Sequence, residues 1–135
     1  FHQHYGKDNV VRNNIFALAR EDQVQRSRME PHVSFRFERN VVYYRDGTLL
    51  GKNWKDDRFV LESNLYWNAA GPPVTFPAGL TLEQRQPKGF DKGSLVADPL
   101  FVDPDTGDFR LKDGSPAAKV GFVPFDFSKA GIRKE

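Results

Sequence analysis

Short stretches in which apolar and polar residues alternate recur along the first half of the chain. At Val33, Phe35 and Phe37 every second residue is apolar, and a period of two is typical of a β-strand. Three such segments, at 9–16, 35–43 and 59–67, align on three asparagines that are 26 and 24 residues apart: Asn14, Asn40 and Asn64. Apolar residues lie three positions before each asparagine and directly after it: Val11 and Ile15, Phe37 and Val41, Leu61 and Leu65.

An internal repeat of this length predicts an architecture in which each repeat packs on the next one. Asparagine tolerates the left-handed backbone conformation of a tight turn, and asparagines at equivalent turns can form a ladder of hydrogen bonds. We therefore predict an all-β fold, a parallel β-helix with one coil per repeat. An antiparallel β-sandwich in which the repeat is coincidental is the alternative.

The segments between the repeats supply the remaining predicted elements. A second strand of each coil is expected at Phe1–Tyr5, Gln23–Arg28, Thr48–Trp54 and Val74–Phe76. Residues 69–93 read as an insertion with one short helix, Leu80–Gln86, for which Thr81 is the expected N-cap. Residues 1–93 are thus assigned to the coils. The turn-rich residues 94–135 are assigned to a C-terminal capping segment with strands at Leu100–Val102 and Asp108–Leu111, and with three apolar anchors: Phe122, Phe125 and Phe127.

Composition narrows the class of protein. The chain has 135 residues, with 20 basic and 18 acidic side chains and no cysteine. A disulfide framework and a thiolate metal site are therefore excluded, and the small, mixed charge excess argues against a nucleic-acid partner. No apolar run is long enough for a membrane span. The 11 glycines and 9 prolines agree with many short strands separated by turns.

Two stretches of the sequence resemble a known group of proteins. Residues 2–17, His-Gln-His-Tyr-Gly-Lys-Asp-Asn-Val-Val-Arg-Asn-Asn-Ile-Phe-Ala, resemble coils of secreted right-handed parallel β-helix proteins that act on carbohydrates. Residues 97–104, 107–112 and 114–117 resemble their closing segment. The whole chain is most similar to the C-terminal coils of glycoside hydrolase family 141-type proteins, which include fucosidases and xylanases; pectate-lyase-like relatives share the fold.

This resemblance implies a right-handed, pectate-lyase-like solenoid and a polysaccharide or oligosaccharide partner. It also implies an extracellular or periplasmic bacterial location. The chain would be a C-terminal fragment whose catalytic carboxylates and N-terminal coils lie upstream, as the Phe1 start suggests, so no catalytic residue is carried over. The first functional prediction is a portion of a glycoside hydrolase. A non-catalytic carbohydrate-binding or surface solenoid and a uronate-polymer lyase or epimerase are the alternatives.

The repeat register also predicts a binding surface. Twelve and ten residues before the asparagines stand six side chains that would share one exterior face: His2, His4, Arg28, Glu30, Lys52 and Trp54. Charged groups can bind hydroxyls or uronate carboxylates, and an indole ring offers a flat platform for a sugar. An ordinary solvated strand face with a half-buried Trp54 is the alternative interpretation.

The sequence gives only weak indications of metal binding or of a catalytic residue. His2 and His4 on one strand face could share a metal, with His32 as a possible third ligand, but the sequence does not place His32 beside them, so neither a metal nor a cofactor is predicted. Glu30 is a weak catalytic candidate with His32, although Pro31 is expected to separate them at a corner. The segment from Asp103 to Asp108 is read as a plain turn and not as a calcium loop. An exposed edge at Phe1–Ala19 predicts self-association or fraying of the chain.

Overall fold

The computed structural model describes residues 1–131 and shows a chain of short strands. The strands are β1 His2–Gln3, β2 Asn9–Arg12, β3 Ile15–Ala17, β4 Asp22–Arg26, β5 Phe35–Glu38, β6 Val41–Tyr44, β7 Thr48–Lys52, β8 Val60–Glu62, β9 Leu65–Asn68, β10 Leu95–Val96, β11 Phe101–Asp103 and β12 Asp108–Leu111. One α-helix, α1, spans Leu82–Arg85, and 3-10 turns occupy Pro77–Gly79, Gln86–Lys88, Pro104–Thr106 and Pro116–Val120.

Three of the four sheets are parallel and are built from strands of successive repeats. Their orders are β1-β4-β7, β2-β5-β8 and β10-β9-β6-β3, while β11 and β12 form an antiparallel pair. Val11 pairs with Phe37 and Phe37 with Leu61. Likewise Ile15 pairs with Val41 and Val41 with Leu65. The alignment of the three repeats is thereby confirmed.

The predicted right-handed parallel β-helix solenoid is nevertheless wrong. The structure consists of small strands of two to five residues in four short sheets, parallel and antiparallel, with one short helix. After β9 the chain leaves the repeat, forms the segment that carries α1, adds only the two-residue β10, and then turns into the antiparallel β11–β12 pair. Three repeats therefore produce local sheets, because beyond Asn68 the described chain returns to the repeat pattern only in the Lys92–Glu62 bridge and the two-residue β10.

An asparagine ladder connects the repeats, as the sequence predicts. The Asn14 N–H donates to Asn40 Oδ1 at 2.9 Å, and the Asn40 N–H donates to Asn64 Oδ1 at 3.0 Å. The Asn64 N–H donates to Ser94 Oγ at 2.9 Å, so a serine ends the ladder. The left-handed turn residue is the one before each ladder residue, at Asn13, Arg39, Ser63 and Gly93, with φ of 56°, 52°, 53° and 74°.

The apolar core lies on both faces of the β10-β9-β6-β3 sheet, which is why all four residues of β6 are buried. One cluster fills the space between the parallel sheets and includes Val24, Phe35, Phe37, Val42 and Tyr66. A second cluster covers the other face, where Val41, Tyr43 and Leu65 contact Phe101, Ala117, Val120 and Phe122. The C-terminal segment therefore lies along the side of this sheet and reaches the first turn, where Asn13 exchanges two hydrogen bonds with the Val123 backbone at 2.7 and 2.9 Å.

The predicted helix is confirmed, although it is shorter than expected. Thr81 caps α1: its hydroxyl accepts from the Gln84 N–H, and the Gln84 side chain accepts from the Thr81 N–H at 3.0 Å. The predicted strand Val74–Phe76 is replaced by a single bridge between Phe76 and Leu80. Leu82, Val74 and Phe76 insert into the first core cluster, so this segment covers the β8 and β9 side of the molecule.

The described residues contain no helix with the length and apolar character needed to cross a membrane. The domain boundary near residue 94 stays a prediction, and positions 132–135 of the proposed cap lie outside the described residues.

Candidate functional site

The six side chains predicted to share one face do not stack. His2 pairs with Gln25 in the β1–β4 ladder, and Lys52 pairs with Arg26, so neither lies opposite Arg28. The predicted register fails because the connections differ in length: residues 4–8 follow β1, 27–34 follow β4 and 53–59 follow β7. Equal spacing before the asparagines therefore does not give equal positions along the sheet.

Trp54 is not available as a sugar platform. Its side chain belongs to the core, with a residue exposure of 5%. The indole Nε1–H donates to Gly51 O at 2.6 Å, and the ring packs edge-on against Phe59 with centroids 4.9 Å apart. Lys52 is exposed at the end of β7 and lies on the far side of its sheet from β1. Both residues are thus separate from the histidines.

The structure does bring His2 and His4 together through a residue that the sequence argument passed over. Ser27 Oγ lies 2.9 Å from His2 Nε2 and 2.8 Å from His4 Nδ1. A serine hydroxyl carries one proton, so at least one imidazole donates to it. The two exposed rings are 6.0 Å apart and form a fixed polar corner at the ends of β1 and β4.

Tyr5 supplies the exposed aromatic ring that Trp54 does not. It is 58% exposed, and the Arg28 guanidinium lies over its face with 4.7 Å between Cζ and the ring centroid. Arg28 also donates to the Tyr5 hydroxyl, and the His4 ring packs edge-on at 4.4 Å. We call this set of five exposed or half-buried side chains the histidine–tyrosine patch: His2, His4, Tyr5, Ser27 and Arg28.

A cavity of about 320 Å³ opens beside the patch. His2, His4 and Tyr5 line it on one side, and Val10 and Val11 of β2 line it on the other. Its wall therefore combines polar ring edges with an apolar surface, the combination found in small-ligand sites.

Glu30 and His32 are brought together by the turn that was expected to separate them. Glu30 Oε2 lies 3.6 Å from His32 Nε2, which also lies 3.1 Å from the Gly6 carbonyl oxygen. Glu30 Oε1 is buried and has no hydrogen-bond partner within residues 1–131. His32 thus connects Glu30 to the Gly6 carbonyl, which directly follows Tyr5 of the histidine–tyrosine patch.

The metal interpretations gain no support from geometry. In the part of the chain that the structure describes, no three side chains of the metal-ligating types come together. The segment from Asp103 to Asp108 forms a 3-10 turn that ends at Gly107 with φ of 82°, as the plain-turn prediction requires. The Asp108 carboxylate binds Arg110 at 2.6 and 2.8 Å, and this contact lowers the pKa of Asp108.

A second polar cluster is fully buried and was missed by the sequence argument. Asp91 accepts from Tyr66, Arg85 and Ser94 at 2.6, 2.8 and 3.0 Å. Burial is the main cause that raises the pKa of Asp91, and burial followed by the Asp91 charge raises the pKa of Tyr66 well above its ordinary value. Because the Arg85–Asp91 pair is closed to solvent, the cluster holds the α1 segment onto the ladder and does not form a ligand site.

Sequence signals for the missed residues exist but are faint. Tyr5 directly follows His4 at the start of a polar turn, and Gly93-Ser94 repeats the turn-then-ladder position of Ser63-Asn64. Comparison with protein-family models, with curated proteins and with solved structures gave no match for the chain. The chemistry of the histidine–tyrosine patch is therefore the structural basis for inferring a function.

Proposed function

We propose that this chain binds a polysaccharide or oligosaccharide through the histidine–tyrosine patch. The observation that carries the proposal is the exposed Tyr5 ring, held by Arg28 and His4 beside the Ser27 hydroxyl and His2. A sugar ring presents an apolar C–H face and a rim of hydroxyls, so it matches an aromatic platform that is surrounded by donors and acceptors.

The charge of the patch favours an acidic sugar. Arg28 is permanently positive, and guanidinium groups bind carboxylates in a planar, two-point geometry. His2 and His4 can each donate a further hydrogen bond. We therefore expect uronate-containing oligosaccharides to bind more tightly than neutral ones of the same length.

The resemblance of residues 2–17 and of the segment around 97–117 to carbohydrate-active proteins supports a saccharide over other ligands. The proposal includes the extracellular or periplasmic location that the resemblance implies.

Calorimetric titration with defined oligogalacturonate, xylan and fuco-oligosaccharide fragments tests the proposal. Tyr5→Ala and Arg28→Ala should each weaken binding by about tenfold or more, because each removes a primary contact. Phe125→Ala and Arg110→Ala are matched controls, since Phe125 is 47% exposed and Arg110 is exposed elsewhere on the molecule. Equal losses in the controls, or unchanged affinity in Tyr5→Ala, would contradict the proposal.

Glycoside hydrolysis is the second candidate, and the Glu30–His32 contact favours it. A carboxyl group with one buried, unpartnered oxygen could act as an acid or base toward a saccharide held at Tyr5. Such a mechanism needs a second carboxyl group about 5 Å away for retention or about 6.5–9.5 Å away for inversion. Release of reducing ends from xylan, fucosides or pectin that is abolished in Glu30→Gln but kept in Glu62→Gln would support it. Saccharide binding without release of reducing ends would contradict the hydrolase function and leave saccharide binding as the only proposed function.

A further inference from the structure

Two imidazole rings meet at one serine hydroxyl in the histidine–tyrosine patch. His4 Nδ1 lies 2.8 Å and His2 Nε2 lies 2.9 Å from Ser27 Oγ, and the Gln3 carbonyl oxygen lies 3.3 Å from it. A hydroxyl has one proton to donate, so one imidazole can accept that proton while the other donates an N–H to the same oxygen. A base within hydrogen-bond reach is what turns a weak hydroxyl nucleophile into a reactive one.

The backbone of Ser27 is held on both sides. Its N–H donates to the Gln3 carbonyl at 2.9 Å, and its carbonyl accepts from Asn53 Nδ2 at 2.8 Å. Ser27 directly follows β4, which pairs with both β1 and β7. A nucleophile on such a rigid element keeps its geometry toward the base. Because Ser27 is half-buried and both histidines are exposed, a ligand at the surface can reach the hydroxyl.

A fixed positive charge stands next to the serine in the chain. The Arg28 guanidinium lies over the Tyr5 ring, with 4.7 Å between Cζ and the ring centroid, and donates to the Tyr5 hydroxyl. A guanidinium has five N–H donors, so this contact leaves further donors for a ligand. Donors that are held in place before a reaction stabilise the oxyanion that forms when a hydroxyl attacks an ester carbonyl.

We propose that Ser27 is the nucleophile of an acyl transfer whose substrate is an ester of a saccharide hydroxyl, such as an O-acetyl sugar. The saccharide part of the substrate rests on the proposed function, because the sugar would contact Tyr5. The reactivity of the hydroxyl rests only on the contacts of Ser27 with His2 and His4.

The first step joins Ser27 Oγ to the acyl carbon and passes the hydroxyl proton to His4 Nδ1. Arg28 stabilises the negative charge that develops on the carbonyl oxygen. The bond between the acyl carbon and the sugar oxygen then breaks, and the sugar oxygen takes the proton from His4. In the second step water attacks acyl-Ser27, and His4 accepts a proton from the water and returns it to Ser27 Oγ. The products are a free sugar hydroxyl and a carboxylic acid.

The two histidines have different roles because they have different neighbours. The His4 ring packs edge-on against Tyr5 at 4.4 Å, so it is placed to return the proton to an oxygen of a sugar at that ring. His2 does not need to move a proton. Its Nε2–H donates to Ser27 Oγ and orients the hydroxyl toward His4, which makes His2 a positioning residue.

Hydrolysis of p-nitrophenyl acetate by the 135-residue chain tests the reactivity of Ser27. Mass spectrometry of the acid-quenched protein should locate one acetyl group on Ser27. Ser27→Ala and His4→Ala should each reduce the rate by about a hundredfold or more. Ser128→Ala is the matched control, because Ser128 is an exposed serine of the C-terminal segment. Circular dichroism confirms that each variant is folded.

The role of His2 has its own test. His2→Ala should lower kcat, and His2→Gln should recover most of the loss, because the glutamine amide can still donate to Ser27 Oγ. A loss in His2→Gln as large as that in His2→Ala would overturn the positioning role.

Acetylated xylo-oligosaccharides test the substrate class. The chain should release acetate from them, and Tyr5→Ala should raise the KM by about tenfold. No acetate release would overturn the saccharide ester as the substrate. An acetyl group on a histidine or lysine in place of Ser27, or an unchanged aryl-ester rate in Ser27→Ala, would overturn the acyl transfer itself. Because p-nitrophenyl acetate carries no sugar, a failure of saccharide binding would leave its turnover intact.

Discussion

The two ends of the asparagine ladder have the same backbone register and different chemistry. At the Asn64 end, Ser94 Oγ accepts the backbone N–H, and Asn64 Nδ2 donates to both Phe37 O and the Tyr66 hydroxyl. At the Asn14 end, the side-chain amide donates to Arg12 O of its own repeat at 2.9 Å and to Asn40 Oδ1 at 3.2 Å. One end is buried beneath the α1 segment and the other faces solvent at three strand edges. Side chains beyond the repeat therefore decide whether a strand edge is closed or remains available.

The closed end depends on a charge pair that solvent does not reach. Arg85 and Asp91 are almost fully buried at 2.8 Å, and the Arg85 guanidinium also lies over Phe90 and Phe76 at 4.7 and 5.2 Å. Removing one member leaves the other charge buried without compensation, which costs far more than the intact pair contributes. The open end has exposed charges, so the two ends should differ most strongly in their response to charge removal.

The largest expected effect is therefore Asp91→Ala. The substitution leaves the buried Arg85 guanidinium without its counter-ion and removes the acceptor of the Tyr66 and Ser94 hydroxyls. The free energy of unfolding should therefore fall by about 3–5 kcal/mol. Urea denaturation followed by tryptophan fluorescence measures the loss. Asp108→Ala breaks an exposed carboxylate–arginine pair and should leave the unfolding midpoint close to that of the parent chain. A similar, small shift in both variants would show that the closed end does not depend on this pair.

The second-largest expected effect is the difference in stability loss between alanine substitutions at the two ends of the ladder. Asn64→Ala removes the acceptor of the Asn40 N–H and leaves Phe37 O without its donor, both in buried surroundings, and should cost about 2–3 kcal/mol. Asn14→Ala removes contacts that solvent can replace and should cost about 0.5–1 kcal/mol. Thermal unfolding of the two alanine variants under one buffer gives the difference. Equal losses would mean that burial at the Asn64 end adds nothing to the ladder.

The two ends of the ladder also show which parts of the structure can be predicted from the sequence. The asparagine spacing predicts the ladder and the pairing of Val11, Phe37 and Leu61, because each depends on residues close to one another in the repeat. The solenoid predicted from the same spacing is wrong, because whether the stacking continues depends on residues 69–131, which follow a different pattern. In the sequence, Arg85 and Asp91 cannot be distinguished from ordinary surface charges.

The candidate site likewise contains residues whose positions the sequence predicts and residues whose positions it does not. The His2-x-His4 pair follows from strand alternation, whereas the register that placed Arg28 opposite His2 is wrong, and Arg28 contacts Tyr5 instead. The repeat register predicts an exterior position for Trp54, yet the residues after β7 turn its ring into the core. Ser27 and Tyr5 join the patch through loops of unequal length, and no periodicity in the sequence encodes such loops.

The smallest expected effect is on the free energy of unfolding at alkaline pH, where the buried tyrosines Tyr66 and Tyr44 should contribute differently. The pKa of Tyr66 is raised well above its ordinary value by burial and by Asp91, whereas burial alone raises the pKa of Tyr44. A raised folded-state pKa means that the stabilising contribution is complete below the unfolded value of about 10 and is lost as pH rises above it, by about 1.4 kcal/mol per pH unit. Tyr66→Phe should lower stability at pH 8 but flatten its decline between about pH 10 and 11, and Tyr44→Phe should flatten the decline less. Urea unfolding at several pH values measures both slopes, and a decline unchanged in Tyr66→Phe would show that the closed end does not titrate through this hydroxyl.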